Sequence, residues 1–378
     1  MKILIVGAGV GGLTLAGFLK DSAIDFELID KKADESPQGF SLGLWNNGRN
    51  ILAKLGLAER FDYLGSRIRH YRVCDGKGEL LKKYDLSEFY SEYGVAYTHI
   101  DRAALYKLLL DLTPLEKINF KTEISQIKQK SEKIEVAFSN GEIKEYDLVV
   151  GADGIHSQVR ELAFAGSYEL FDNWRVWYAW IDNTFKQNAA VTEYIEPGEF
   201  VGVFDVGSRT LAVLIAPAKH SVWDDVAGRL ERLNKLFKNE SVLSGFLRNL
   251  KNEDISPTDL SHVKMKRWVN GRSVLLGDAA HGFEPHAGLG ASMAMEDGYV
   301  LAGELIKVSE TYSIEKALEN YQKIRAKRVG IARTLTNRMR AWAFVKSRPL
   351  RKIINILIKL IPQSFFVNKY HQLLREEI

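Results

Sequence analysis

The first thirty residues restrict the fold more than any other part of the chain. MKILIVGAGVGGLTLAGFLKDSAIDFELID reads as a buried apolar strand over Ile3–Val6, a glycine turn, a helix from about Gly11 to Lys20, and a strand closing on Asp30. Gly7, Gly9 and Gly12 fit the spacing G-x-G-x-x-G, a weak signal alone. The strand before it, the helix after it and an acid 18 positions beyond Gly12 supply the context that gives it weight. Each glycine has its own task. Gly7 permits a tight turn, Gly9 lets a pyrophosphate approach the backbone, and Gly12 brings helix and strand together. The helix start near Gly11 offers free N–H donors to phosphate oxygens. Asp30 is suited to accept both hydroxyls of an adenosine ribose, and Lys31 beside it is a further candidate contact. A dinucleotide is therefore expected here, and the turn alone does not distinguish NAD from FAD.

Composition narrows the alternatives. The 378 residues carry 46% hydrophobic and 26% charged side chains, as in an ordinary globular protein. A net charge of +4 gives no case for nucleic acid. A lone Cys74 excludes an internal disulfide framework and a cysteine-cluster metal site. MKILIVG is too short and too quickly interrupted for a secretory signal, and no apolar run is long enough for a spanning helix. A cytoplasmic protein is the expectation.

Helical patterns follow from Asn47 to Ala58 and from Arg102 to Leu112. Ile118 to Val150 reads as strands, with Ser139-Asn140-Gly141 as a hairpin turn. From Trp174 to Pro217 short alternating runs divided by Pro-Gly and Gly-Ser turns suggest an antiparallel sheet, and charged helices run from Asp224 to Leu250. The expected fold is α/β. A Rossmann-like FAD-binding domain (residues 1–75, 98–170 and 262–340) interleaves with an antiparallel-sheet substrate domain (76–97 and 171–261), and C-terminal helices occupy 341–378. Within that tail, LRKIINILIKLI between Pro349 and Pro362 is expected to dock on the body or on another subunit. Weak membrane-surface contact is the less favoured role.

Two later segments repeat the strand-then-glycine pattern: DLVVGADGIHSQVR (Asp147–Arg160) and RWVNGRSVLLGDAAHGFEPHAGLGASMAMEDG (Arg267–Gly298). In this order the three segments resemble the class A FAD-dependent monooxygenases, the para-hydroxybenzoate hydroxylase-like family. That family has a central GADG-x-x-S-x-V-R, matched by Gly151–Gly154, Ser157, Val159 and Arg160. Its late GDAAH-x-x-x-P-x-x-G-x-G, followed by A-x-E-D, is matched by Gly277–His281, Pro285, Gly288, Gly290, Ala294, Glu296 and Asp297. GFSLGLWNNGRNILAKLGL resembles a further family segment, one that passes beside the flavin and so implies Gly43 in the cofactor site, through Asn47 and Leu55-Gly56-Leu57. Ser41, Asn46 and Gly48 replace its glycine, proline and alanine. The resemblance spans about residues 1–340.

The resemblance implies FAD, bound without a covalent tether, with NAD(P)H as co-substrate. It implies that Arg102 and Asp153 belong to the cofactor site, and that Asp278 meets the ribityl and phosphate region. The loop from Pro285 through Gly288 would pass the isoalloxazine, where a side chain would collide with the ring. Leu289, Gly290 and Ala291 would open a helix toward the pyrimidine end, where N–H donors meet the charge of reduced flavin. A flavin C4a-hydroperoxide would then hydroxylate a small aromatic or polyketide-like substrate. The cofactor carries the chemistry, so no protein catalytic residue is named. His281 and His286 lack a third ligand for zinc and are expected to be structural. The aromatics of Trp174–Trp180 and Tyr194–Phe204 are suited to line a flat pocket, though core packing is the commoner role for such residues. Rival readings are a reductase or dehydrogenase on the same fold and a non-catalytic FAD protein that binds a partner through its basic tail.

Overall fold

Four consecutive apolar residues, Ile3 to Val6, leave the first strand no face for water, and all four are buried. The computed structural model describes residues 1–33, 39–94, 97–166, 168–219, 222–237 and 243–375. In it Lys2–Val6 pairs in parallel with Asp25–Ile29 on one side and Leu148–Gly151 on the other. Leu148–Gly151 in turn pairs in parallel with Ser273–Leu275. The six-stranded sheet runs Val269–Asn270, Ser273–Leu275, Leu148–Gly151, Lys2–Val6, Asp25–Ile29, Ile118–Asn119. Each of the three glycine segments continues the carboxyl end of one of three neighbouring parallel strands. That is where open α/β sheets bind ligands, at the point where the strand order reverses.

The first helix, Val10–Leu19, lies against the helix Gly290–Ile306. Their approach is close because a Cβ on Gly298 would come within 2.9 Å of the Leu15 amide nitrogen. The helical pattern expected from Asn47 to Ala58 divides in two, Asn46–Lys54 and Ala58–Leu64. Gly56 takes a φ of +74° between them, a left-handed turn that ends the first helix.

A seven-stranded sheet forms the second layer. Its order is Ser256–Val263, Glu169–Ile181, Arg209–Pro217, Glu199–Val206, Ala190–Glu196, His70–Asp75, Leu80–Asp85. Every pairing is antiparallel except that of His70–Asp75 with Ala190–Glu196. His70–Asp75 therefore belongs to this sheet, although the sequence boundary at residue 75 assigned it to the nucleotide-binding part. The chain crosses between layers at about residue 69, before the strand begins.

The tail is joined to the body. The 30-residue helix Ile314–Ala343 crosses the expected boundary at 340. In the following helix, Arg348–Leu360, the buried Arg351 donates to the carbonyls of Trp342 (2.8 Å) and Ala343 (2.6 Å). It thereby satisfies open C-terminal carbonyls of the long helix. Its outer face leaves Ile353, Ile356 and Leu360 exposed. The last helix, Gln363–Arg375, tucks Tyr370 against Trp45 at 4.0 Å between ring centroids. Among the described residues no helix is long and apolar enough to cross a membrane.

A fully buried charge cluster ties these parts together. Asp297 accepts from Arg325 Nε (2.6 Å) and the Gly277 amide (2.8 Å), and it pairs with His281 Nε2 (2.6 Å). Glu296 binds Arg325, Arg328 Nη2 (2.7 Å) and Asn47 Nδ2 (2.8 Å). Burial works to raise the Asp297 carboxyl, yet the charges and hydrogen bonds of His281 and Arg325 hold it at about 2. Arg325→Met should destabilise the protein by about 3–5 kcal/mol in denaturant titration, because two buried carboxylates lose a partner. An unchanged midpoint would refute the cluster's structural role. Since the folded pKa of Asp297 lies below its unfolded value, its contribution is full above about pH 4. It is lost as pH falls through about 2.

Candidate active site

The strand ends and the seven-stranded sheet enclose a cleft of about 450 Å³. The glycine turn forms one wall, and its glycines divide by what a side chain would meet. A Cβ on Gly12 would lie 2.0 Å from the Gly7 carbonyl oxygen, and one on Gly7, at φ +109°, would lie 2.4 Å from that of Ala152. These two are required by packing and turn geometry. Gly9 differs: its backbone is extended and its Cβ would meet only the Ala152 oxygen at 3.9 Å. The space beside Gly9 is the cleft itself. Gly290 likewise has nothing within 4 Å of a Cβ.

Gly43 and Gly288 are glycines for another reason. Their Cβ atoms would fall 2.0 and 2.4 Å from the Tyr97 hydroxyl, which wedges between the strand Ser41–Trp45 and the loop at Gly288. At these two positions the protein's own tyrosine already excludes a side chain, a contact the family motif does not reveal.

The other candidate residues also separate. Gly11, Arg102, Asp278, Pro285 and Ala291 line the cleft together with Gly9, Gly43, Gly288 and Gly290. Gly7, Gly12, Asp30, Lys31, Asp153 and Leu289 do not. Asp30 accepts from the amides of Ala8 (2.8 Å) and Lys32 (2.9 Å), so its carboxylate braces the glycine turn from behind. Asp153 accepts from Ser157 Oγ and from the Val159 amide (3.0 Å), fixing the start of the helix Gln158–Ala163. Leu289 is in the core, and Lys31 is at the exposed surface.

Asp278 projects a carboxylate into the cleft. Its pKa is raised, chiefly by desolvation and further by Asp297, against the charges of His281 and Arg102. Arg102 opens the helix Arg102–Leu110, where Asp101 accepts from the Ala103 amide at 2.7 Å. Its charge reaches both Asp278 on the nucleotide side and Tyr178 on the sheet side. A group with phosphates and a flat ring fits this arrangement: open backbone at Gly9, N–H donors behind it, Asp278 midway, and open space over Gly290.

The far wall comes from the seven-stranded sheet. Tyr178, Phe200 and Phe204 face the cleft, whereas Trp177 packs on the opposite side of the sheet and Trp174 stacks on Phe344 at 4.0 Å. Strand alternation alone does not say which face meets the cleft. His281 is buried and bound to Asp297, while His286 reaches the cleft wall and pairs with Glu284 at 2.9 Å. Two polar residues there escaped the sequence reading. His99 is buried between Tyr97 and Phe204, both ring nitrogens lack a partner among the described residues, and burial pushes it down to about 3. It is neutral at physiological pH. Glu193 is the other, and the inward series Val191, Glu193, Ile195 was the signal that marked it.

A family profile described as "FAD binding domain" matches residues 1–335. The chain belongs to that family. FAD-dependent urate hydroxylase of Klebsiella pneumoniae is 27% identical over 337 residues, covering 87% of each protein. The 3-amino-4-hydroxybenzoate 2-monooxygenase of Streptomyces cremeus is 28% identical over 343 residues, covering 87% of this chain and 84% of that one. Klebsiella pneumoniae HpxO, solved with FAD and uric acid, superposes with a TM-score of 0.90 at 22% identity, over 99% of this chain and 97% of that one. Its likeness shows the shared fold. The chain is a class A FAD-dependent monooxygenase, an oxidoreductase that binds FAD.

Gly9→Val should leave the denaturant midpoint nearly unchanged while FAD per folded chain falls more than about tenfold, since the side chain enters space the protein does not use. Gly12→Val, by contrast, should cost stability directly. Full flavin occupancy in the Gly9 variant would show that the phosphates lie elsewhere.

Proposed function

We propose that this enzyme consumes NAD(P)H and O₂ to insert one oxygen atom into a small aromatic or heterocyclic ring, with a polyketide-like ring as an alternative. The observation that carries this reading is the continuity of the cleft from the glycine turn to the aromatic sheet face. A flavin held at one end brings its ring to a substrate held at the other. The urate hydroxylase and aminohydroxybenzoate monooxygenase named among the relatives act on such rings. Reduced flavin supplies the electrons and the activated oxygen, and the protein supplies position and shelter from water.

The chain's own residues divide the work. Gly9 and Gly11 leave the diphosphate its backbone donors, Asp278 holds the ribityl side, and Gly290 with Ala291 brings a helix N-terminus to the ring. Arg102, on the nucleotide side with a charge that reaches Asp278 and Tyr178, would offset developing negative charge. Tyr178, Phe200 and Phe204 exclude water from the substrate side. Only one glycine cradle of this type is present in the sequence, so the nicotinamide would bind elsewhere or transiently, without a second Rossmann turn. A cytoplasmic setting, with NAD(P)H at hand, fits this use.

In coupled turnover with ¹⁸O₂, one labelled atom should appear in product for each NAD(P)H consumed. Repeated product formation under strict anaerobiosis would instead identify a reductase.

A further inference from the structure

We infer that Glu193 is the polar anchor for the substrate, and that the ring taken here is a neutral or cationic hydrogen-bond donor instead of a carboxylate anion. The inference rests on the proposed oxygenase site for where the substrate lies. Its observations are separate from those that locate the flavin.

Glu193 belongs to the strand Ala190–Glu196, whose alternation turns Val191, Glu193 and Ile195 to one face. Its cross-strand partners are Gly202 on one side and Val73 on the other. Gly202 has no side chain to meet the carboxyl. A Cβ there would fall 2.6 Å from Phe204 Cζ, so the ring of Phe204 folds across the gap. The carboxyl thus stands among aromatic and aliphatic groups. It lines the main cleft and also a smaller cavity of about 120 Å³ that reaches under the C-terminal helices. Tyr71 and Met339 share both spaces with it.

Charge decides what this acid recognises. Burial pushes its carboxyl up to about 7, opposed only by a hydrogen bond from Tyr71, so both protonation forms are available near neutrality. Among the described residues, no lysine or arginine lies on the sheet positions that line the main cleft. The two cations on the cavity walls are elsewhere: Arg102 at the nucleotide side, and Arg338 at the exposed edge of the smaller cavity. A carboxylate ligand seated against Glu193 would meet a like acid, with the guanidinium of the cleft, Arg102, on the nucleotide side, and low-dielectric surroundings penalise that placement. A phenol, a ring N–H or a protonated amine would give the acid a donor beside that of Tyr71. This sets the site apart from what one similar protein is named for, an aminohydroxybenzoate.

The test is equilibrium binding to the FAD-loaded enzyme, read from the perturbed flavin absorbance without NAD(P)H. The probes are 2-naphthol, 2-naphthylmethylamine and 2-naphthoate. In the wild type the naphthol and the amine should bind at least about tenfold tighter than the naphthoate, the equivalent of one charge-assisted hydrogen bond. Glu193→Gln should lose about tenfold for the amine while holding the naphthol within a few-fold, because an amide keeps the hydrogen bond without the charge. Glu193→Ala should weaken both. Naphthoate binding as tightly as the amine, no binding by any probe, or a ranking unchanged in Glu193→Gln would each overturn the inference. The wild-type comparison requires no variant to fold. Because nothing is turned over, the ranking stands or falls independently of whether labelled oxygen reaches a product.

Discussion

The buried pairing of Glu296 and Asp297 with Arg325 and Arg328 holds the molecule in its working form. One carboxylate touches the Gly277 amide, at the end of the third parallel strand, and the other touches Asn47 at the start of the helix Asn46–Lys54. The arginines come from the long helix, and Arg328 continues to the Leu373 carbonyl at 2.7 Å. Four distant stretches of chain are thus fixed by a cluster with no access to water. Buried charges are a poor source of net stability but a strict source of geometry, because a misplaced partner leaves an unpaired ion behind. A cleft built from loops needs that strictness. The acids of the A-x-E-D pattern therefore act from behind the site.

The sequence made much of this legible where the physics was local. The first strand, the turn and the helix are governed by short-range periodicity and by glycine, and they lie within a residue or so of where the pattern puts them. The three glycine segments could be recognised one at a time. Their convergence at the ends of three neighbouring parallel strands is a matter of long-range pairing, visible only in the sheet order. Long-range contacts were not legible. Nothing near Gly43 or Gly288 announces that Tyr97 will fill the space beside both. Nor does the sequence announce the protein's own donors to Asp30 and Asp153: each carboxylate oxygen accepts one hydrogen bond from a nearby group and keeps capacity for another.

The wall opposite the nucleotide side was the least legible part. A period of two identifies an inward face, but a strand with apolar residues on both faces has two inward faces. Trp177 and Tyr178 are neighbours in sequence and point into different interiors. Polar residues are the better markers in such strands, since an acid or histidine is seldom buried without a reason. Glu193 and His99 both stand out on that criterion once the strands are aligned.

The order in which the cluster is assembled has a consequence for biosynthesis. A ribosome delivers the glycine turn first, but the strand beside Leu148–Gly151 comes only with Ser273–Leu275, and the neutralising arginines only with residues 325 and 328. Until then the nascent chain holds a cradle with one wall missing, and the acids of Glu296 and Asp297 would emerge without their partners. Closing the cradle therefore waits on segments far along the chain, and a fragment cut before the long helix would leave both buried acids without their arginines.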